Sequence, residues 1–162
     1  MEIRLAEVTE KNFWDIINMK STPEQEEKFQ IFEKYVGSNT FFIALATVKG
    51  WVNRAIYDGD TLIGFATHGF DDENNRYEMV SIMLGHQHQG KGYGKASLKA
   101  VLDEMAEMYG CNEIFLTTAP ANEPAIRVYE KLGFKPTGES FKAFVEEHVY
   151  RLEVKNMERI GI

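Results

Sequence analysis

Cysteine is almost missing from this chain. Cys111 is the single cysteine in 162 residues, so no internal disulfide can form, which fits a reducing cytoplasm and reads Cys111 as a core residue. Long apolar runs are missing as well. None approaches the roughly 18 residues that cross a bilayer, and the acidic opening Met1-Glu2 does not read as a signal peptide, so no membrane is expected as a partner. Positive charge is in deficit: 18 Lys and Arg stand against 25 Asp and Glu, a net charge of −7. That balance argues against nucleic acid and mildly favours cationic partners, while serving solubility equally well. No His, Cys and Asp cluster has ligand spacing, so no metal is expected. Repeats, linkers and low-complexity tracts are absent, and the expectation is one domain over residues 1–162.

What is present is ample core material. Apolar residues make up 44% of the chain, with 11 Phe and 7 Tyr. Glu2 to Val8 alternates as a half-buried strand does. Thr9 is positioned to cap a short helix with Phe13, Ile16 and Ile17 inward, and Thr22-Pro23-Glu24-Gln25 opens a second helix that turns Phe29, Phe32 and Val36 inward and stops at Gly37. Residues 38 to 52 fit a short helix or a buried strand. From Asn53 the pattern is β: Arg54 to Tyr57 and Thr61 to Phe70 flank the turn Asp58-Gly59-Asp60, and Tyr77 to Leu84 follows a polar turn. Gly94, Leu98, Val101, Leu102, Met105 and Tyr109 recur at helical spacing, and Gly110 closes that helix. Glu113 to Thr118 reads as a strand, Asn122 to Leu132 as a helix closed by Gly133, and Phe144 to Val154 as the last strand. The alternation predicts one mixed α/β sheet covered by helices.

The most informative segment is Gln89-Gly90-Lys91-Gly92-Tyr93-Gly94, between a strand and an amphipathic helix. Alternate glycines let backbone approach a ligand, and the free N–H groups of a helix start suit a pyrophosphate. Lys91 and Lys95 add positive charge. The spacing is wrong for a P-loop, and the next strand ends in Thr117-Thr118 rather than in the acid of a dinucleotide fold. The pattern (Gln/Arg)-x-x-Gly-x-(Gly/Ala) is matched by Gln89, Gly92 and Gly94. About thirty residues on comes N-x-x-A-(I)-x-x-Y-x-x-x-G-F, carried by Asn122, Tyr129, Gly133 and Phe134. Singly, Asn122 reads as an N-cap, Gly133 as a helix stop and Tyr129 as packing; together they form a second motif.

With both motifs in place the sequence resembles the GCN5-related N-acetyltransferase (GNAT) family, from about Ala55 to Leu152. The resemblance implies an α/β (α+β) fold, a twisted, mixed and mostly antiparallel sheet of six to seven strands with helices on both faces. It also implies acetyl-CoA as co-substrate, a small-molecule amine as acceptor, and acetyl transfer to a primary amine. In that family the strand before the glycine turn splays from its neighbour. The resemblance assigns Ile82, Met83 and Leu84 to the pantetheine arm, and Gln89, Gly90, Lys91, Gly92, Tyr93, Gly94 and Lys95 to the pyrophosphate. It gives Asn122 to the cofactor arm and Tyr129 to the coenzyme A sulfur. A backbone N–H near Leu84 would stabilise an oxyanion, Tyr129 would protonate the thiolate, and Glu78 is the candidate base, with His68, His86 and His88 as alternatives.

Ala55 to Thr61, Ile63-Gly64-Phe65, Arg76-Tyr77, the glycine turn, and the stretch from Asn122-Glu123 to Gly138-Glu139 are similar to the bacterial spermine/spermidine (diamine) acetyltransferases. The subgroup's R-Y-W-L-W-R-L-M-I-D is replaced here by Arg76 to Gly85, without its two Trp, Arg and Asp, and a subgroup Glu aligns with Leu45. A polyamine is the expected acceptor, supported by Glu24, Glu26, Glu27, Glu33, Asp71, Asp72, Glu73 and Glu78. A peptide or protein amine, or an aminoglycoside, is the alternative acceptor. Two other classes compete: a non-catalytic sensor of a coenzyme A ester, and a nucleotide-phosphate-binding protein. Small proteins of the resembled family often pair through strands, so the β-rich, exposed-edged segment Phe144 to Val154 predicts a homodimer.

Overall fold

The computed structural model describes residues 1–29, 38–142 and 145–157, with the side chains of residues 28 and 29 outside that description. Seven strands form one sheet: β1 Ile3–Ala6, β2 Val52–Asp58, β3 Thr61–Asp71, β4 Arg76–Leu84, β5 Glu113–Thr118, β6 Lys135–Lys142 and β7 Glu146–Glu153. Their order is β1-β2-β3-β4-β5-β7-β6, antiparallel throughout except for β4 beside β5. This agrees with the expected mixed, mostly antiparallel sheet of six to seven strands.

Local chemistry sets most boundaries. The hairpin between β2 and β3 turns at Gly59, whose φ is +57. The next turn is tied by Asp71, whose carboxylate accepts from Glu73 N–H at 3.0 Å and Asn74 Nδ2 at 2.6 Å. Helix α1, Phe13–Ile17, starts later than the Thr9 cap predicts. Thr9 forms a turn before the helix: its N–H donates to Asn12 Oδ1 and its carbonyl accepts from Asn12 and Phe13. Helix α2, Pro23–Phe29, opens on a reciprocal capping box in which Gln25 N–H donates to Thr22 Oγ1 and Thr22 N–H donates to Gln25 Oε1. The expected inward face of Phe29, Phe32 and Val36, and the stop at Gly37, lie outside the described residues.

The ambiguous stretch is helical. In α3, Asn39–Lys49, the Ser38 hydroxyl accepts from Phe41 N–H at one end and Gly50 takes a left-handed φ of +71 at the other. Helix α4, Tyr93–Tyr109, ends at Gly110 as its periodicity predicts. Helix α5, Glu123–Lys131, follows Asn122.

Helices cover both faces. On one, Leu98, Leu102 and Met105 of α4 bury fully against Ile63, Ile114 and Leu116 of the sheet, with Leu132 and Phe134 closing the layer. Each such Leu contributes about 1.5–3 kcal/mol by transfer from water. Cys111 packs, half-buried, against this core. On the other face, Ile16 of α1 and Phe42 and Ile43 of α3 pack on Ala55 and Phe65.

One expectation is corrected. The last strand begins at Glu146, Phe144 lies outside the described residues, and β7 is interior, paired with β5 on one side and β6 on the other. It therefore has no exposed edge through which a second copy could pair. The strand taken only as extended chain after Phe134, β6, occupies that edge.

Candidate active site

The sheet opens at β4. That strand pairs with β3 from Arg76 opposite Asp71 to Leu84 opposite Gly64, yet registers with β5 at one pair, Glu78 with Phe115. A bulge explains the divergence. Thr67 faces Ser81 and His68 faces Met79, so Val80 is an extra residue on β4 that bends it. Gly85 N–H donates to Ile63 O at 3.0 Å. Alternate backbone groups of a strand point the same way, so Met83 and Ser81 turn their N–H groups to β3 and Leu84 and Ile82 turn theirs into the gap.

A cleft of about 890 Å³ opens there, lined by Ile82, Met83 and Leu84 and, across the gap, by Thr117 and Thr118. The glycine turn forms one end. Gly90 and Gly92 have φ of +73 and +86, which an L side chain rarely adopts. Among the described residues, chain neighbours and the helix's own backbone aside, a Cβ on Gly90 or Gly94 would meet no atom within 4 Å, and one on Gly92 only Met1 Cε at 3.9 Å. The turn thus presents bare backbone to open space at the start of the 17-residue α4, where N–H groups and dipole favour an anion.

Gln89, Gly90, Gly92, Gly94 and Lys95 line the cleft. The Gln89 side chain is a brace: it forms a reciprocal amide pair with Gln25 at 2.8 and 2.9 Å and donates to Leu84 O at 3.0 Å. Lys91 and Tyr93 are not part of the lining. Lys91 is exposed, and the Tyr93 hydroxyl is committed to Asp58 Oδ2 at 2.7 Å.

Asn122 occupies the N-cap of α5, but its side chain makes no capping bond and lines the cleft instead. Tyr129 projects into the same space, edge-on to Phe134 with ring centroids 6.1 Å apart. Burial, and then the charge of Glu147, push the Tyr129 phenol up to about 12, so it keeps its proton at neutral pH.

Among the candidate bases, Glu78 alone lines the cleft. Its Oε2 accepts from Arg76 Nε and Nη2 at 3.2 and 3.1 Å, and only 13% of its side chain is exposed. Burial still raises its pKa, outweighing Arg76, with Asp71 and Glu147 adding to the rise. His68 is fully buried elsewhere. Its Nε2 lies 2.8 Å from Glu104 Oε1 and its Nδ1 2.8 Å from the Tyr109 hydroxyl, and Glu104 is ion-paired with Arg54. Burial lowers its pKa. The neutral ring then donates to Glu104 and accepts from Tyr109. His86 is exposed and His88 half-buried, both outside the lining.

The acids expected around an acceptor are mostly elsewhere. Glu78 lines the cleft, Glu24, Glu26, Glu27, Asp71, Asp72 and Glu73 do not, and Glu33 lies outside the described residues. Glu147 of β7, absent from the sequence-based candidates, does, with Thr117 Oγ1 donating to its Oε2 at 2.7 Å. Two adjacent glutamates in a strand look alike in sequence; the register of Thr117 with Val149 decides that Glu147, not Glu146, shares a face with Thr117. Phe41, Phe42 and Leu45 of α3 form an apolar wall that sequence reading also missed, because the segment's type was open.

A model of the acetyltransferase (GNAT) family matches residues 11–134, and the chain belongs to that family. It is 39% identical over 89 residues to a spermine/spermidine N(1)-acetyltransferase of Bacillus subtilis, a match covering 51% of this chain and 58% of the relative's length. It is 42% identical over 57 residues to an N-alpha-acetyltransferase of Sulfurisphaera tokodaii, covering 35% of this chain and 34% of that protein. The fold matches the crystal structure of spermidine N-acetyltransferase from Vibrio cholerae in complex with CoA and spermine, with a TM-score of 0.77, 18% identity and coverage of 97% and 98% of the two chains.

Proposed function

We propose that residues 1–162 act as one N-acetyltransferase domain that moves an acetyl group from acetyl-CoA to a primary amine, with a polyamine such as spermidine or spermine as acceptor. The observation that carries this reading is the gap between β4 and β5, which joins the bare glycine turn at one end to Tyr129 and Glu78 within one cleft. The residues fit the cofactor: Gly90, Gly92 and Gly94 leave room for a pyrophosphate at a helix start, Lys95 adds charge, and Ile82 and Leu84 turn strand N–H groups into the gap toward a pantetheine arm.

Acetyl-CoA supplies a thioester whose carbonyl carbon accepts the amine nitrogen and whose sulfur departs as the thiol. An ammonium gives up two protons on becoming an amide; one ends on that sulfur and one leaves. Tyr129, protonated and directed into the cleft, is the donor to sulfur. Glu78 receives a proton from the nitrogen, its raised pKa bringing it nearer to neutral pH. The Leu84 N–H, turned into the gap, holds the charge that develops on the carbonyl oxygen.

The polyamine reading draws support from the relative's name and from two carboxylates, Glu78 and Glu147, in the cleft. The apolar wall of Phe41, Phe42 and Leu45 favours a second acceptor class, a peptide amine carried on an apolar body. Comparing kcat/KM for spermidine, spermine, putrescine, a lysine peptide and an aminoglycoside decides between them. Polyamine recognition by carboxylates should weaken at high salt. If spermidine and spermine are no better than the peptide, the polyamine reading fails. A cytoplasmic location completes the proposal, together with a homodimer for which β6, rather than β7, is the edge strand free to pair; light scattering at micromolar concentration tests the latter.

A further inference from the structure

The sheet register brings two carboxylates to one face at the mouth of the gap. Glu78 pairs with Phe115, Phe115 and Thr117 are alternate residues of β5, and Thr117 pairs with Val149, two residues from Glu147 on β7. Alternate residues of a strand and directly paired residues share a face, so Glu78, Phe115, Thr117 and Glu147 all point the same way. Tyr129 packs with the opposite, α4 side and reaches the gap from there.

The two acids differ in their partners. Glu78 is neutralised by Arg76, which holds its Oε2 twice. Among the described residues Glu147 has no cation against it and one hydrogen-bond partner, Thr117, whose hydroxyl donates to Oε2 at 2.7 Å and leaves Oε1 open. A half-buried carboxylate fixed by a neutral donor at the edge of an apolar cleft lacks a counter-charge, and an incoming ammonium supplies one.

We propose that Glu147, oriented by Thr117, is the residue that binds the acceptor's ammonium group and sets the specificity of the cleft for cationic amines. This rests on the acetyltransferase reading above. Glu147 binds the cation and positions its nitrogen between Glu78 and the gap; it does not take up the proton.

The test uses the full chain and four readouts: coenzyme A affinity, acceptor KM, kcat, and spermidine binding to the coenzyme A complex by calorimetry. Two acceptors are compared, spermidine and trifluoroethylamine, the latter largely uncharged at neutral pH. Glu147→Gln should raise KM for spermidine roughly 10- to 100-fold, the worth of one charge-assisted hydrogen bond. It should weaken spermidine binding in parallel, leave coenzyme A affinity unchanged, and alter KM for trifluoroethylamine little. Thr117→Val keeps the shape, loses the donor, and should move the same quantities in the same direction by a smaller factor, which also serves if Glu147→Gln does not fold. Unchanged spermidine KM and binding in both variants overturns the proposal, as does an equal loss for both amines, which would make Glu147 a packing residue. A wild type that releases no thiol with any amine would instead overturn the acetyltransferase reading on which this rests.

Discussion

Glu78 stands opposite Phe115 at the single pair where β4 and β5 are in register, and the guanidinium of Arg76 lies 5.0 Å from the Phe115 ring centroid. This is the point from which the sheet divides. Arg76 covers the closed side of the junction and holds the Glu78 carboxylate there through Nε and Nη2, while Glu78 also lines the cleft.

Replacing Glu78 should therefore affect chemistry rather than cofactor binding. In Glu78→Gln, kcat should fall by roughly 10²-fold, the scale of a general base. The raised pKa of Glu78 places an acid limb in the wild-type kcat/KM profile above the ordinary carboxylate range, because activity needs the ionised form. That limb should vanish in the variant. A limb that persists unchanged assigns the base to another group.

Coenzyme A should stabilise the fold through the glycine turn. At 100 times its Kd a ligand adds about 2.7 kcal/mol, which for a chain of this size raises Tm by roughly 5–10 °C. Gly92→Val places a branched side chain at a φ of +86 in the space a ligand would use. Its own Tm should fall, and the increment from coenzyme A should disappear. A variant that keeps the full increment refutes the placement.

Tyr129→Phe retains the ring against Phe134 and removes the proton. A drop in kcat of roughly 10²-fold with little change in acetyl-CoA affinity is the expected result. Equal kcat would leave Tyr129 a packing residue.

Much of this site was legible because its signals are local. The glycine turn, the periodicity of α4 and the Asn122 to Phe134 motif each occupy a short stretch of chain. What escaped depends on pairings between distant segments. Glu147 is separated from Glu146 by strand register, and β7 became an interior strand only through its pairing with both β5 and β6. The Thr9 cap failed because Asn12, three residues on, folds back to Thr9 N–H. α3 was ambiguous since Phe41 to Val48 is apolar enough for either element, and the Ser38 cap with the Gly50 stop settles it as a helix.

The cluster that Glu104, Arg54 and Tyr109 form around the buried His68 was equally invisible in sequence, and it makes stability depend on pH. Burial depresses the folded-state pKa of His68 below its ordinary value of 6.5. The unfolded chain then binds a proton that the folded chain does not, so stability present at neutral pH is lost as pH falls below that value toward the folded one. Between about pH 7 and 5.5 the Tm of the wild type should fall more steeply than that of His68→Gln, in which carboxylate effects are shared and cancel. Parallel slopes would show that His68 is not the group responsible.

Acetyl transfer is tested by incubating the purified chain with acetyl-CoA and spermidine, spermine or an apolar peptide amine, following free thiol and product mass together. Thiol should be released in step with an N-acetylated amine, and Gly92→Val should lose both. Tight coenzyme A binding without acetylated product from any amine would contradict it and make the protein a sensor of the ester.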